Sequence, residues 1–115
     1  MANRRMLSKS ISVSKKVSKL YEITQSYFPV LLYTWLHPHA DDFGRYDADP
    51  FTIKHSIIPT FNVSEEDIGE ALDKMKTVGL IKLWKKNEKS VLEIVGFEDH
   101  QIGLGKRTQS KYPNP

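Results

Sequence analysis

From Phe28 the apolar positions recur at a helical interval. Phe28, Leu31, Leu32, Trp35 and Leu36 sit at i, i+3, i+4, i+7 and i+8, the stripe of an amphipathic helix. Ser26 is its expected cap, Pro29 falls in the first turn where no N–H is missed, and Pro38 is expected to stop it near His37. A second stripe, Ile68, Ala71, Leu72 and Met75, follows a Ser64 cap and three first-turn acids, Glu65, Glu66 and Asp67, and closes at Gly79. Between the two, Asp49-Pro50 opens a short helix with Ile53 and Ile57 on one face, ended by Pro59. Phe43 to Tyr46 is long enough for one short strand. Leu80 to Trp84 and Val91 to Val95 are β-rich runs joined by KKNEKS, which predicts a hairpin with a five- or six-residue basic loop.

The two ends are less patterned. Ile11 and Val13 alternate in a basic arm that accommodates a short strand, and Val17, Leu20 and Tyr21 predict a short helix capped by Ser14. Beyond Phe97 the chain is polar, with Gly103, Gly105, Pro113 and Pro115, and should lie along the surface. The order helix, short strand, short helix, long helix, strand, basic loop, strand predicts an α+β fold of the winged helix-turn-helix type, with KKNEKS as the wing. The expected division is a basic arm over residues 1–25, a winged-helix core over 26–97 and a basic tail over 98–115.

Composition narrows the class. At 115 residues there is room for one domain, and no apolar run approaches the roughly 18 residues of a membrane span. With no cysteine there is no disulfide framework, and the basic start lacks the apolar middle of a secretory signal, so a cytoplasmic location is expected. The net charge of +3 conceals segregation. Residues 1–20 carry six bases and no acid, residues 21–63 and 64–79 are each net −3, and the remainder is net +3. Basic ends flanking an acidic middle point to a polyanion gripped by arms and loops.

Several stretches carry a family resemblance: RRMLSKSIS near the start, HADDFGR at 39–45, Ala48-Asp49-Pro50, EALDKMKTVGLI, and FEDHQ with KRTQSKYP at the end. Together they resemble the N-terminal winged-helix domain of phage replisome organiser proteins, a group similar to the primosomal protein DnaD. Members of that group often continue beyond this tail. The resemblance implies a role in phage or plasmid replication, with origin DNA bound and helicase-loading machinery assembled.

The chemistry-bearing residues give no enzyme. His37-Pro38-His39-Ala40-Asp41-Asp42 superficially matches a zinc ligand run, but the closing His is Asp42; Asp41 and Asp42 are better read as acceptors of local backbone N–H groups, with Arg45 pairing with one of them and Gly44 easing the turn. No nucleophile with a partner base and no phosphate-binding glycine loop is present, so no catalytic residue, metal or cofactor is expected. Trp35, Tyr46 and Trp84 read as core or hairpin packing rather than base-stacking platforms.

The helix from Glu65 holds the recognition position, yet its first turn would be repelled by phosphates. DNA contact is therefore expected from the arm, wing and tail: Arg4, Arg5, Lys9, Lys15, Lys16, Lys85, Lys86, Lys89, Lys106, Arg107 and Lys111. The favoured function is a DNA-binding domain of a replication initiator. A protein–protein module, for oligomerisation or for docking a replicative helicase or its loader, and a transcriptional regulator are the alternatives. Apolar residues in the arm, Ile11, Val13, Val17 and Leu20, also lead us to expect self-association through the N-terminal segment.

Overall fold

Three side chains decide where helices begin. Ser14 accepts the Val17 N–H at 3.3 Å, and Asp49 accepts that of Thr52 at 3.2 Å. Ser64 and Asp67 bond each other's backbone N–H at 3.0 and 3.1 Å, a reciprocal capping box. The computed structural model describes residues 7–100, 110 and 112–115. Among them the elements run α1 (Ser10–Val13), α2 (Lys15–Thr24), α3 (Phe28–His39), β1 (Arg45–Asp47), α4 (Pro50–Ser56), α5 (Glu65–Thr77), β2 (Ile81–Lys86) and β3 (Lys89–Ile94), then a 3-10 turn, Phe97–His100. The result is an α+β arrangement in which α2, α3 and α4 pack on α5 and the strands form one antiparallel sheet, ordered β1-β3-β2.

The core lies between the helices and one face of the sheet. Leu20, Leu32, Leu36, Ile53, Ile68 and Met75 are fully enclosed with Leu92 of β3. In α5 the buried set is the predicted stripe, Ile68, Ala71, Leu72 and Met75. The helix stops as expected: Gly79 has φ +84°, its N–H bonds to the Lys76 carbonyl, and the Leu80 N–H reaches back to Met75. That paired closure is the Schellman motif, which favours glycine because the left-handed backbone clashes with a Cβ.

Several expectations are corrected. Residues 10–13 form one helical turn instead of a strand; only Ile11 packs against the core, while Val13 is exposed, so the alternation marks no buried face. Helix α3 starts at Phe28 with no side-chain cap hydrogen bond from Tyr27, although Ser26 Oγ does accept the Phe28 N–H. Pro38 does not end it. Proline there forfeits one hydrogen bond in the last turn, and the helix runs on to His39. The buried face is also turned by one position, to Pro29, Leu32, Tyr33, Leu36 and His37, because α3 is apolar nearly all round and hydrophobicity alone does not fix its orientation. The first strand begins at Arg45 rather than Phe43.

The hairpin loop is shorter than predicted. Lys85, Lys86 and Lys89 belong to the strands, and the loop is Asn87-Glu88 alone, both at positive φ (54° and 66°). Two left-handed residues give a hairpin loop whose twist matches the flanking strands, so the ladder persists to the Lys86–Lys89 pair.

Gly44, at φ +78°, lies where an added Cβ would stand 2.6 Å from Phe97 Cβ, whereas at Gly79 it would meet only the Lys16 side chain at 3.6 Å. Gly44→Ala is accordingly expected to destabilise by about 2–5 kcal/mol, combining left-handed strain with overpacking, and Gly79→Ala by about 1–2 kcal/mol from strain alone. Urea midpoints of the two variants check this; equal losses would rule out the Phe97 contact as the cause.

Candidate nucleic-acid interface

Cross-strand register concentrates charge at the tip of the β2–β3 hairpin. Lys86 faces Lys89 directly and Lys85 faces Ser90. All three lysines are exposed. Lys85 lies 3.8 Å from Glu88, and Lys89 lies 3.5 Å from Asp47 and over the Tyr112 ring at 5.4 Å. Lys86 makes no ion pair among the described residues. Like charges directly opposite each other weaken a hairpin, so the Lys86–Lys89 rung contributes no favourable pairing of its own.

Strand alternation adds a cation missing from the predicted set. Lys82, Trp84 and Lys86 share the face of β2 turned away from the core, and Lys82 is exposed, 3.9 Å from Glu93. The period-2 pattern of Lys82-Leu83-Trp84-Lys85-Lys86 was the signal that would have revealed it.

The other predicted contacts divide. Lys9, just before α1, and Lys15, the first residue of α2, are exposed. Lys16 is also exposed but lies along the surface, donating to the Gly79 carbonyl at 3.2 Å just beyond the end of α5. Gly79 precedes β2 and the hairpin tip ends it, so Lys16 and Lys86 stand at opposite ends of a strand roughly 17 Å long. Arg4, Arg5, Lys106, Arg107 and Lys111 lie outside the described residues. On α5 the exposed positions include Glu65, Glu66, Glu70 and Asp73, whose carboxylates make no ion pair among the described residues, and Lys74 and Lys76 toward the end.

The His-Asp run serves the fold. His37 is buried, its Nδ1 3.0 Å from the Tyr33 carbonyl and its ring edge-on to Tyr33. His39 packs against Tyr46 on the other side of the helix, and burial holds its imidazole below the usual range. Among the described residues no three His, Asp or Glu side chains converge as metal ligands. Asp41 Oδ1 accepts the backbone N–H groups of Phe43 (2.9 Å) and Arg45 (3.0 Å). The Arg45 guanidinium, expected to pair with Asp41 or Asp42, goes instead to Glu93 at 2.9 Å.

The C-terminal residues, which sequence patterning left on the surface without a partner, form a strap across the outer face of the sheet. Ser110 Oγ donates to Asp41 Oδ2, Arg45 donates to the Tyr112 carbonyl (3.3 Å) and Asn114 Oδ1 (2.8 Å), and Trp84 Nε1 donates to the Pro113 carbonyl (2.9 Å). Arg45 also lies over the Trp84 ring at 5.3 Å. Tyr112 is buried, and its phenol is pushed up to about 12 by that burial and by neighbouring Tyr46, Asp47 and Asp41. Val91, which shares the outer face with Asp47 and Trp84 by register, is fully buried there, outside the main core.

Comparison with protein-family models, with curated proteins and with solved structures finds no match to this chain.

Two outcomes are expected. In a Trp35→Phe background Trp84 is the sole indole, and Tyr112→Ala with Asn114→Ala should release the strap and move its emission to the red; unchanged emission would mean the strap does not hold Trp84. For His39, whose folded pKa is depressed, the associated stability is present above the unfolded value of about 6.5 and is lost as pH falls through the lowered one. Thermal melts should therefore show a shallower acid limb in His39→Gln than in the parent.

Proposed function

We propose that this chain is a winged-helix DNA-binding domain that holds DNA by its phosphates, acting in the cytoplasm in replication initiation of the phage replisome-organiser kind and without enzymatic activity of its own. The carrying observation is the juxtaposition of Lys86 and Lys89 across the last rung of a tight hairpin, with Lys85 adjacent. Lys85 and Lys89 also pair within the chain, but Lys86 has no ion-pair partner among the described residues, and a cluster of exposed cations at a hairpin end suits phosphate contacts. The element order and the β1-β3-β2 sheet support the same reading: α4 and α5 then form the helix-turn-helix, and β2–β3 the wing. The sequence resemblance to replisome organisers supplies the replication role.

The acids of α5 modify how such a domain works. Asp67 is committed to the capping box, but Glu65 and Glu66 stay exposed in the turn that a helix-turn-helix directs at base edges. Their repulsion from phosphate argues against deep insertion of α5 into the major groove, and for selectivity that is modest.

If about four to six phosphates are neutralised, log K should fall against log salt with a slope of roughly −4 to −5. Lys86→Ala alone should take about one unit from that slope, and the triple variant with Lys85→Ala and Lys89→Ala up to about three, with affinity falling alike on all sequences. Glu65→Gln with Glu66→Gln should leave affinity unchanged or raised. Fluorescence anisotropy on duplex DNA of several sequences decides the matter. Silent wing variants together with lost site discrimination in the Glu65/Glu66 variant would refute phosphate gripping and favour a sequence-reading regulator.

A further inference from the structure

A cavity of about 240 Å³ lies between α1, the start of α2, α3 and the residues on either side of the β2–β3 hairpin. Its polar lining is Ser8, Ser10, Ser14, Lys16, Tyr33 and His37, and no carboxylate borders it among the described residues. The volume falls below the ~300–1,000 Å³ of pockets that enclose small organic ligands, so the occupant it suits is an ion or a single chemical group. Tyr33 is only 5% exposed, and its phenol makes no hydrogen bond among the described residues. Buried hydroxyls are rarely left so, because the hydration lost on burial goes unreplaced. Burial also raises this phenol above its usual range, which keeps the proton on the oxygen and the group a donor.

The other lining groups are donors as well. Ser8 and Ser10 share one hydroxyl bond at 2.8 Å, so one of their two O–H groups is left over. Ser14 Oγ accepts from the Val17 N–H and has its own O–H to give. The Lys16 ammonium, with three N–H donors, places one on the Gly79 carbonyl and makes no ion pair among the described residues. Ser14 and Lys16 also stand at the start of α2, the positive end of its helix dipole. His37 adds no acceptor through Nδ1, which is bonded to the Tyr33 carbonyl. We propose that this cavity binds phosphate, as the free ion or as the end group of a small monoester, with its oxygens accepting from Tyr33, Ser14, Lys16 and the Ser8–Ser10 pair. Donors from different elements suit a tetrahedral oxyanion, whose oxygens point in four directions, better than a flat carboxylate with two.

The site is independent of the DNA reading, since the hairpin lysines stand at the other end of β2 and the probe is not nucleic acid. The full chain is titrated with inorganic phosphate and, separately, with glycerol phosphate in chloride buffer of constant ionic strength, and backbone amide shifts are followed by NMR. Saturable shifts at Lys16, Val17 and Gly79 are expected, and the tighter of the two probes identifies the form bound. Tyr33→Phe removes the phenol oxygen alone and should weaken binding about tenfold, as should Lys16→Gln. Because that oxygen has no partner within the chain, Tyr33→Phe should melt no lower than the parent in phosphate-free buffer, yet lose the parent's phosphate-dependent gain in Tm. A cavity that holds water alone, giving no saturable shift up to about 20 mM of either probe, would overturn the proposal. So would shifts centred on Lys85, Lys86 and Lys89, or a Tyr33→Phe variant that binds as tightly as the parent.

Discussion

The buried carboxylate of Asp41 joins the three parts of this molecule. It follows α3 directly, and in a space closed to water a carboxylate is tolerated only when its oxygens are satisfied. One oxygen gathers the Phe43 and Arg45 N–H groups, the Asp41 N–H and the Arg45 carbonyl bond at 2.9 Å, and the other oxygen holds Ser110. The turn that launches β1 is thus fixed at one residue, and with it the direction in which the sheet leaves the helices. Gly44 completes the turn because only a residue without a side chain passes Phe97 there.

From that turn the sheet acquires two unlike faces. Toward the helices it offers Leu83, Leu92 and Ile94; away from them it offers Arg45, Glu93, Lys82, Asp47, Val91 and Trp84. A three-stranded sheet is small, and an outer face holding Val91 and Trp84 would lose hydrophobic stabilisation if left wet. The strap resolves this with few residues: Tyr112 and Pro113 cover the apolar middle, while Arg45 and Asn114 tie the polar margin. Arg45 stands at the centre, since its guanidinium bonds Glu93 and the strap and stacks on Trp84 at once.

Features governed by a few neighbouring residues were legible in the sequence. The caps at Ser14, Asp49 and Ser64, the stop at Gly79 and the stripe of α5 follow from contacts within one or two turns. Orientation of α3 was not, because an all-round apolar helix is turned by what packs on it, and His37 enters the core by virtue of a hydrogen bond that hydropathy does not register. The hairpin lysines were legible as a cluster but not as ladder residues, since Asn87-Glu88 lacks the glycine that usually announces a two-residue turn. The strap was invisible because its partners, Ser110 with Asp41 and Pro113 with Trp84, are separated by 69 and 29 residues.

The tight Asn87-Glu88 turn gives the β2–β3 hairpin the character of a stiff lever. A five-residue loop would sample many conformations and surrender them on meeting a ligand, at a cost of about 1–2 kcal/mol per residue fixed. Here the ladder runs to its final rung, and Lys85, Lys86 and Lys89 are mounted on backbone already ordered. What remains to be immobilised is side-chain rotation alone. Such preorganisation lowers the entropic cost of any contact these cations make, and it places their spacing under the control of strand geometry.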